Sequence, residues 1–239
     1  MGKNLIVQKR GKGSMTYRAP SHRYLGAAKH AQSAKEVIKG QIVDLVDCIG
    51  HSAPLAKVRY EDGQEVLMIA PEGIRVGQIV ALGSKAEIKP GNVCSLKEIP
   101  EGTAVCNIEQ QPGDGGKFCR SSGVFAKVIS RMGNGVLVRL PSKIEKMFNQ
   151  DCRACIGIVA GAGRTEKPFL KAGTRMKAMQ ARNKLYPITS ANAMNACSHP
   201  YGNTRSLRKS KARPASRNAP PGRKIGMIAA RRTGRRKRK

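Results

Sequence analysis

The chain has 239 residues and a formal net charge of +30, with 45 Lys and Arg against 15 Asp and Glu, and it contains no Trp. Residues 1–35 and 167–239 contain no acid and hold eight and twenty-one Lys or Arg, whereas residues 36–166 hold sixteen against all fifteen acids. Such segregated charge predicts a polyphosphate partner, and the lack of a basic stripe opposite Leu, Phe or Trp favours nucleic acid over a membrane surface.

Apolar residues and Cys indicate the compartment. No stretch of 18 apolar residues predicts a membrane helix, and residues 1–10 lack the apolar run of a signal peptide. The Cys count is seven, an odd number at scattered positions, which favours reduced thiols over a disulfide framework. We expect a soluble cytoplasmic protein with no membrane partner and no small-molecule substrate.

Residues 1–35 are predicted to form a basic N-terminal arm. Gly11, Gly13 and Pro20 disfavour a continuous helix across it. Its cations can contact phosphates, and its Tyr and His can stack on or hydrogen-bond to RNA. The candidate contacts are Arg10, Lys12, Tyr17, Arg18, His22 and Arg23.

Residues 36–166 alternate short β-branched runs with turn residues, and this pattern predicts nine strands. The predicted strands lie near residues 41–46, 56–60, 66–70, 79–82, 104–109, 123–130, 135–140, 144–148 and 154–159. Asp62-Gly63 and Asn134-Gly135 predict tight hairpin turns. Nine short strands without a long helix favour a mainly β fold of two antiparallel barrels, divided near Pro90 into residues 36–90 and 91–166.

A glycine-rich loop at residues 113–117 resembles a phosphate-binding loop only in composition. Gln111 and Phe118 stand where a nucleotide triphosphatase needs a Gly and a Ser or Thr. We predict instead a flexible loop that brings Lys117, Arg120 and backbone N–H groups to phosphate oxygens, with a plain surface loop as the alternative.

The spacing of Cys152 and Cys155 is that of half a zinc site. Neither Cys119 nor Cys197 belongs to a second pair, and a CxxC in a strand directs its two side chains to opposite faces. We therefore predict buried strand thiols and no metal site.

Residues 167–239 are predicted to form a basic C-terminal extension. Residues 174–184 predict up to three helical turns, and beyond Pro187 the repeated Pro and Gly predict an extended path that orders on binding. Residues 231–239 could alternatively be a nuclear localisation signal or a solvated tail, but their place in an acid-free segment favours polyphosphate contact. The candidate contacts just before and within this extension are Arg164, Lys167, Arg217, Arg223, Lys224, Arg231, Arg232 and Arg235.

Many colinear blocks resemble the universal large-subunit ribosomal protein L-two family, and the N-terminal arm is most similar to archaeal members. The blocks run almost end to end and include RGKG at 10–13, TYRAPSHR at 16–23, SAPLAKV at 52–58, PGDGGKF at 112–118, CRA at 152–154, GRTEKP at 163–168, PPGRKIG at 220–226 and IAARRTGR at 228–235. The block at 152–154 adds Arg153 to the candidate RNA contacts.

The resemblance implies an OB-type barrel followed by an SH3-like barrel, with both arms threaded into large-subunit rRNA near the peptidyl-transferase centre. It also implies neighbouring ribosomal proteins and, across the inter-subunit bridge, the small subunit as partners. No cofactor is implied, and Mg²⁺ would serve only as a counterion of the rRNA. The expected role is that of a structural constituent of the large ribosomal subunit.

His199 matches the histidine discussed for this family as supporting peptidyl transfer. Ser198 stands where the family usually has Asp, and only Gly202 of the usual Gly run remains. No carboxylate follows Glu166 in the chain to hold the imidazole in one tautomer, so we predict an RNA contact and no catalytic residue.

Two other functions compete with this one. An RNA-modifying enzyme would need a site in the middle segment, for example one using Cys119 or His51. A free-standing OB-type RNA chaperone or translation factor would use the same cationic arms without assembling into a ribosome.

Overall fold

The computed structural model of the chain describes residues 3–32, 37–133, 135–203 and 214–230. These residues form two compact units. A β unit comprises Ser21–Phe169, and a terminal unit comprises Met1–Pro20 together with Leu170–Lys239. The predicted boundaries at residues 35, 90 and 166 remain predictions.

The described part of the β unit contains ten short strands in one continuous sheet. In chain order they are β1 Ile38–Val46, β2 Leu55–Tyr60, β3 Glu65–Ile69, β4 Ile79–Leu82, β5 Val93–Ser95, β6 Ala104–Cys106, β7 Ala126–Met132, β8 Gly135–Arg139, β9 Glu145–Asn149 and β10 Arg153–Ile156. The spatial order is β3-β2-β1-β4-β5-β10-β6-β7-β8-β9, and every pairing is antiparallel except that of β4 with β5. The prediction of a mainly β fold is confirmed, while the OB-type and SH3-like barrels remain predictions.

The hairpins follow from their turn residues. Between β2 and β3, Gly63 adopts a φ of 81°, and the Asp62 carboxylate accepts the N–H of Gln64. This backbone conformation suits glycine, so the Asp62-Gly63 turn is confirmed. The second predicted turn joins β7 to β8, but Asn134 lies outside the described residues.

The strands enclose two apolar cores. The first centres on Ile42, Leu55 and Leu82, and the second on Leu96 and Val138, all of them 0 or 1% exposed. The short strands thus bury apolar side chains in two clusters within one sheet.

Residues 21–32 belong to the β unit although their charge is that of the N-terminal arm. Ala28 and Ala31 are 1% and 3% exposed in the first core, and the backbone N–H of Lys29 donates to Leu67. Sequence reasoning placed this segment in the arm because it contains no acid. Its apolar contacts come from Ala28, Ala31 and Tyr24, whose spacing carries no periodic signal.

Within the described residues, the terminal unit contains two α-helices, one 3₁₀ turn and one small sheet. These are α1 Ile6–Gly11, α2 Ala172–Ala181, the 3₁₀ turn Ala191–Ala193 and the parallel pair β11 Pro214–Ala215 and β12 Met227–Ile228. Helix α2 confirms the helical turns predicted near residues 174–184. Among the described residues, neither helix has the length or apolarity needed to cross a bilayer.

Candidate nucleic-acid interface

Cross-strand ion pairs neutralise several cations of the β unit. Lys57 and Arg59 both reach the Glu65 carboxylate, at 2.8 Å and 2.6 Å, and Arg139 pairs with Glu145 at 2.8 Å. Partly exposed pairs of this kind contribute little to stability, but they cancel charge locally. Several of the Lys and Arg side chains in residues 36–166 thus form surface ion pairs with the Glu side chains of the same segment.

The cations of the terminal unit have no such partners available in their own segments, because residues 1–20 and 170–239 contain no Asp or Glu. Arg10, Lys12, Arg18, Arg217 and Arg223 are all exposed. Exposed guanidinium and ammonium groups without neighbouring carboxylates create a positive potential that attracts polyanions. This unit carries the candidate nucleic-acid interface.

Further predicted contacts lie on the β unit. His22 and Arg23 are exposed in a 3₁₀ turn at Ser21–Arg23. Arg164 lies in a second 3₁₀ turn, where its Nε donates to the Ser122 hydroxyl at 3.0 Å. Lys167 is exposed as well. These side chains are available to a ligand, although one N–H of Arg164 is already used.

The glycine-rich loop is folded around two carboxylates. Glu109 accepts the N–H groups of Gly113 and Gly115, and Asp114 accepts that of Gly116 at 3.0 Å. The N–H of Lys117 donates to the Ile108 carbonyl. These amides are therefore already hydrogen-bonded within the protein, in contrast to our expectation that they would face phosphate oxygens. The Lys117 side chain is exposed and can still contact a phosphate.

Arg153 is buried in an ion pair, so it does not belong to the candidate interface. Its Nη2 donates to Glu109 at 2.7 Å, its Nε donates to the same oxygen at 3.1 Å, and its Nη1 donates to the Ala31 carbonyl. Burial alone would raise the pKa of Glu109, but the hydrogen bonds and charge of Arg153 hold that pKa below its usual value. The pair joins the glycine-rich loop, β10 and residues 21–32.

Arg120 is half-buried and also has an internal role. Its Nη2 donates to the Ala28 carbonyl at 2.6 Å and its Nη1 donates to Gly116 at 3.1 Å. Two of its N–H groups therefore fix the loop against residues 21–32. The phosphate contact at Arg120 stays a prediction. It could use only the N–H groups of Arg120 that the two internal hydrogen bonds do not occupy.

The predicted turn around His199 is formed. The backbone N–H of Tyr201 donates to Nδ1 of His199 at 3.1 Å, and the two rings meet edge to face at 5.2 Å. Because Nδ1 accepts this bond, the neutral imidazole carries its proton on Nε2. Burial lowers the pKa of His199, and its tautomer is held by a backbone amide without a carboxylate.

Two of the thiols are buried in the apolar cores. Cys152, immediately before β10, and Cys155, within it, are both fully buried and belong to different cores. Burial raises the pKa of the Cys119 thiol to about 12, which leaves it protonated at neutral pH and unsuited to nucleophilic attack. Among residues 3–32, 37–133, 135–203 and 214–230, no three His, Cys, Asp or Glu side chains are grouped to hold a metal ion.

The terminal unit also contains a cleft that sequence reasoning missed. Two predicted contacts, Arg10 and Tyr17, line it together with Arg175 and Tyr186, which were not predicted. The available signal was the presence of Tyr186 among cations in an acid-free segment. Arg231, Arg232 and Arg235 lie outside the described residues.

A mainly β unit and a cationic, acid-free unit are the features of a basic protein whose charge attracts polyanions. The family described as "Ribosomal Proteins L2, C-terminal domain" matches residues 89–220. The "Large ribosomal subunit protein uL2" of Archaeoglobus fulgidus is 50% identical over 98% of this chain and 99% of its own length.

The proteins of the same name from Methanococcoides burtonii and Haloarcula marismortui are each 49% identical, over 99% and 98% of this chain and 100% and 98% of their own lengths. Identity of this extent over nearly the whole chain is decisive. The chain belongs to the uL2 family and is of its archaeal type.

Proposed function

We propose that this chain is a structural protein of the large ribosomal subunit and binds large-subunit rRNA near the peptidyl-transferase centre. The observation that carries the proposal is the exposed, acid-free cationic surface of the terminal unit, in a chain about half identical to archaeal large-subunit proteins. Folded rRNA brings phosphate groups close together, and Lys and Arg side chains between them relieve the repulsion.

The division of labour within the chain supports this proposal. The cations of the β unit are partly neutralised by Glu65, Glu145 and Glu109, so this unit can fold without a polyanion. We expect it to form the OB-type and SH3-like barrels of the family and to dock on folded rRNA. The terminal unit supplies the bulk of the phosphate contacts.

The partners follow from the same role. We expect large-subunit rRNA and neighbouring ribosomal proteins as direct contacts, and the small subunit across an inter-subunit bridge. The compartment is the cytoplasm, where ribosomes work. The chain contributes to translation through assembly and subunit association, and we assign it no chemical step.

Crosslinking in assembled particles tests the position. Reagents placed at Lys117, Arg164 and His199 should reach rRNA around the peptidyl-transferase centre, whereas a reagent at Lys57, paired with Glu65, serves as the control. The protein should also sediment with the large subunit. Crosslinks from the three positions to unrelated rRNA regions would refute the location, and a chain found only free of ribosomes would refute the role.

A further inference from the structure

The cleft of the terminal unit is formed by segments far apart in the sequence. Helix α2 and the residues after it provide one side, and the N-terminal segment provides the other. Asn183 links these two sides of the cleft, because its Nδ2 donates to the carbonyls of Met15 at 3.0 Å and Arg18 at 2.7 Å. A fixed cleft of about 520 Å³ results, which lies in the size range of small-molecule and cofactor sites.

The lining of the cleft combines three kinds of chemistry. Its cations are Arg10, Arg175, Arg182 and Lys184, and its rings are Tyr17 and Tyr186. Its apolar side chains include Met179, Leu185 and Ile188. Since no acid occurs in residues 1–20 or 170–239, none of these cations is neutralised by a carboxylate of its own segment.

Tyr186 and Arg175 are already paired in a way that suits a nucleotide. The Arg175 guanidinium carbon lies 5.2 Å from the centroid of the Tyr186 ring, within the range of a cation–π contact. Tyr186 is only half-buried, so part of the ring is open to the cleft. A base can stack on such a ring while the adjacent guanidinium contacts its phosphate.

The ligand that matches the cations, the Tyr rings and the apolar side chains of the cleft is a single nucleotide with an exposed base. A base pair within a duplex keeps its faces stacked inside the helix and presents only phosphates and groove edges. The Asp and Glu side chains of an acidic peptide would satisfy the cations but offer no ring to stack on the two Tyr rings. An unpaired nucleotide carries a phosphate for the cations and a planar base for the rings and the apolar side chains.

We propose that this cleft receives one unpaired nucleotide of the bound rRNA, with its base stacked on Tyr186 or Tyr17 and its phosphate held by the surrounding Arg side chains. The proposal rests on the proposed function and deepens it. Under this proposal, one part of the cationic arms recognises RNA structure in addition to neutralising phosphates. The site distinguishes a looped-out nucleotide from a paired one.

Binding measurements on the full-length chain test this. The probes are a labelled single-stranded oligoadenylate and an RNA duplex of equal length, at ~300 mM KCl, where the phosphate contacts are weakened. Tyr186→Leu should weaken binding of the single strand by ~5- to 150-fold and leave duplex binding unchanged, because stacking is lost while charge is kept.

Tyr201→Leu is the matched control, since Tyr201 lies in the same unit but outside this cleft, against His199. It should change neither affinity. A Tyr186→Leu variant that behaves like this control, or that loses duplex binding equally, would overturn the proposal. Displacement of the single strand by micromolar AMP would assign the cleft to a free nucleotide and would overturn it too.

A second measurement uses the unaltered chain, so its result does not depend on whether a variant folds correctly. In large subunits whose rRNA contains 4-thiouridine, irradiation should crosslink an unpaired nucleotide to the peptide carrying Tyr186 or Tyr17. Crosslinks from that peptide only to paired nucleotides, or to a neighbouring protein, would refute the inference. Failure of the proposed function would look different, because the chain would then bind neither probe at ~50 mM KCl and would not sediment with the large subunit.

Discussion

Arg153 shows how burial changes the role of a cation. Its Nη2 and Nε converge on the Glu109 carboxylate, and the pair's side chains are 8% and 0% exposed. Removing one partner of a buried pair leaves the other charge without compensation, which costs far more than the loss of an exposed pair.

Arg153→Met should therefore lower the free energy of unfolding by about 3–5 kcal/mol, because Glu109 would stay buried without its guanidinium. Urea denaturation followed by circular dichroism measures this. Arg139→Met is the matched control, since the Arg139–Glu145 pair is 55% and 43% exposed and should cost about 0–1 kcal/mol. Equal losses in the two variants would contradict the internal role of Arg153.

His30 gives the β unit a pH dependence of its own. Burial lowers the pKa of His30 to about 4, and the charges of Arg153 and Arg120 act in the same direction. Its Nε2 lies 2.6 Å from the Asn107 carbonyl oxygen. The imidazole therefore stays neutral in the folded chain.

Between about pH 6.5 and pH 4, the unfolded chain binds a proton at His30 that the folded chain does not, so stability falls as the pH falls through this window. The free energy of unfolding at about pH 4.5 should be ~2 kcal/mol lower than at about pH 7 from this group alone. His30→Gln should remove that share of the pH dependence. An unchanged pH profile in the variant would show that His30 does not titrate as described.

The charge of a side chain can be read from the sequence, but its burial cannot. Arg10, Lys12 and Arg18 were predicted as RNA contacts, which remains a prediction, and all three are exposed. Arg153 carries the same charge, but its partner Glu109 lies 44 residues earlier. Only the fold brings such residues together, so no local pattern could separate Arg153 from the exposed cations.

At the scale of elements, the turn after α2 links the ends of the chain. Asn183 adopts a φ of 50°, a conformation that Asn tolerates better than most residues, and its side chain donates to Met15 and Arg18. This contact, together with the hydrogen bond from the Lys3 N–H to the Cys197 carbonyl, links the two terminal segments, which the sequence analysis treated as two arms.

Asn183→Gly keeps the backbone conformation but removes both hydrogen bonds, which together contribute about 1–3 kcal/mol. Amide hydrogen exchange at residues 9–18 should accelerate by ~5- to 150-fold as this segment opens more often. The matched control is Asn203→Gly, at an exposed Asn of the same unit with a φ of 54°. No difference between the two variants would exclude Asn183 as the fastening residue.

The elements that sequence reasoning found are those with local signals. All nine predicted strands are present, because β-branched runs between turn residues are local patterns. Strand β5, Val93–Ser95, was missed because three residues are too few to show a period of two. It exists because β10, some sixty residues later, pairs with it.

At the scale of the whole molecule, the boundaries of the acid-free segments do not coincide with the boundaries of the two structural units. Residues 21–32 have the composition of an arm but pack in the β unit, while the acid-free residues 1–20 and 170–239 form the terminal unit. Charge composition predicted a polyphosphate partner, which remains a prediction, and the pattern of β-branched runs between turn residues predicted the mainly β class. The contacts that join the two ends, such as that of Asn183, are not encoded in composition.

The central claim, that the chain binds rRNA mainly through the cations of its terminal unit, is tested most directly by the salt dependence of its affinity for large-subunit rRNA. If six to ten cations each displace condensed counterions, the affinity should fall by ~10³- to 10⁵-fold between ~50 and ~200 mM KCl for a duplex target. Deleting residues 170–239 should flatten this dependence. An affinity that is insensitive to salt, or a deletion that leaves the slope unchanged, would contradict the account.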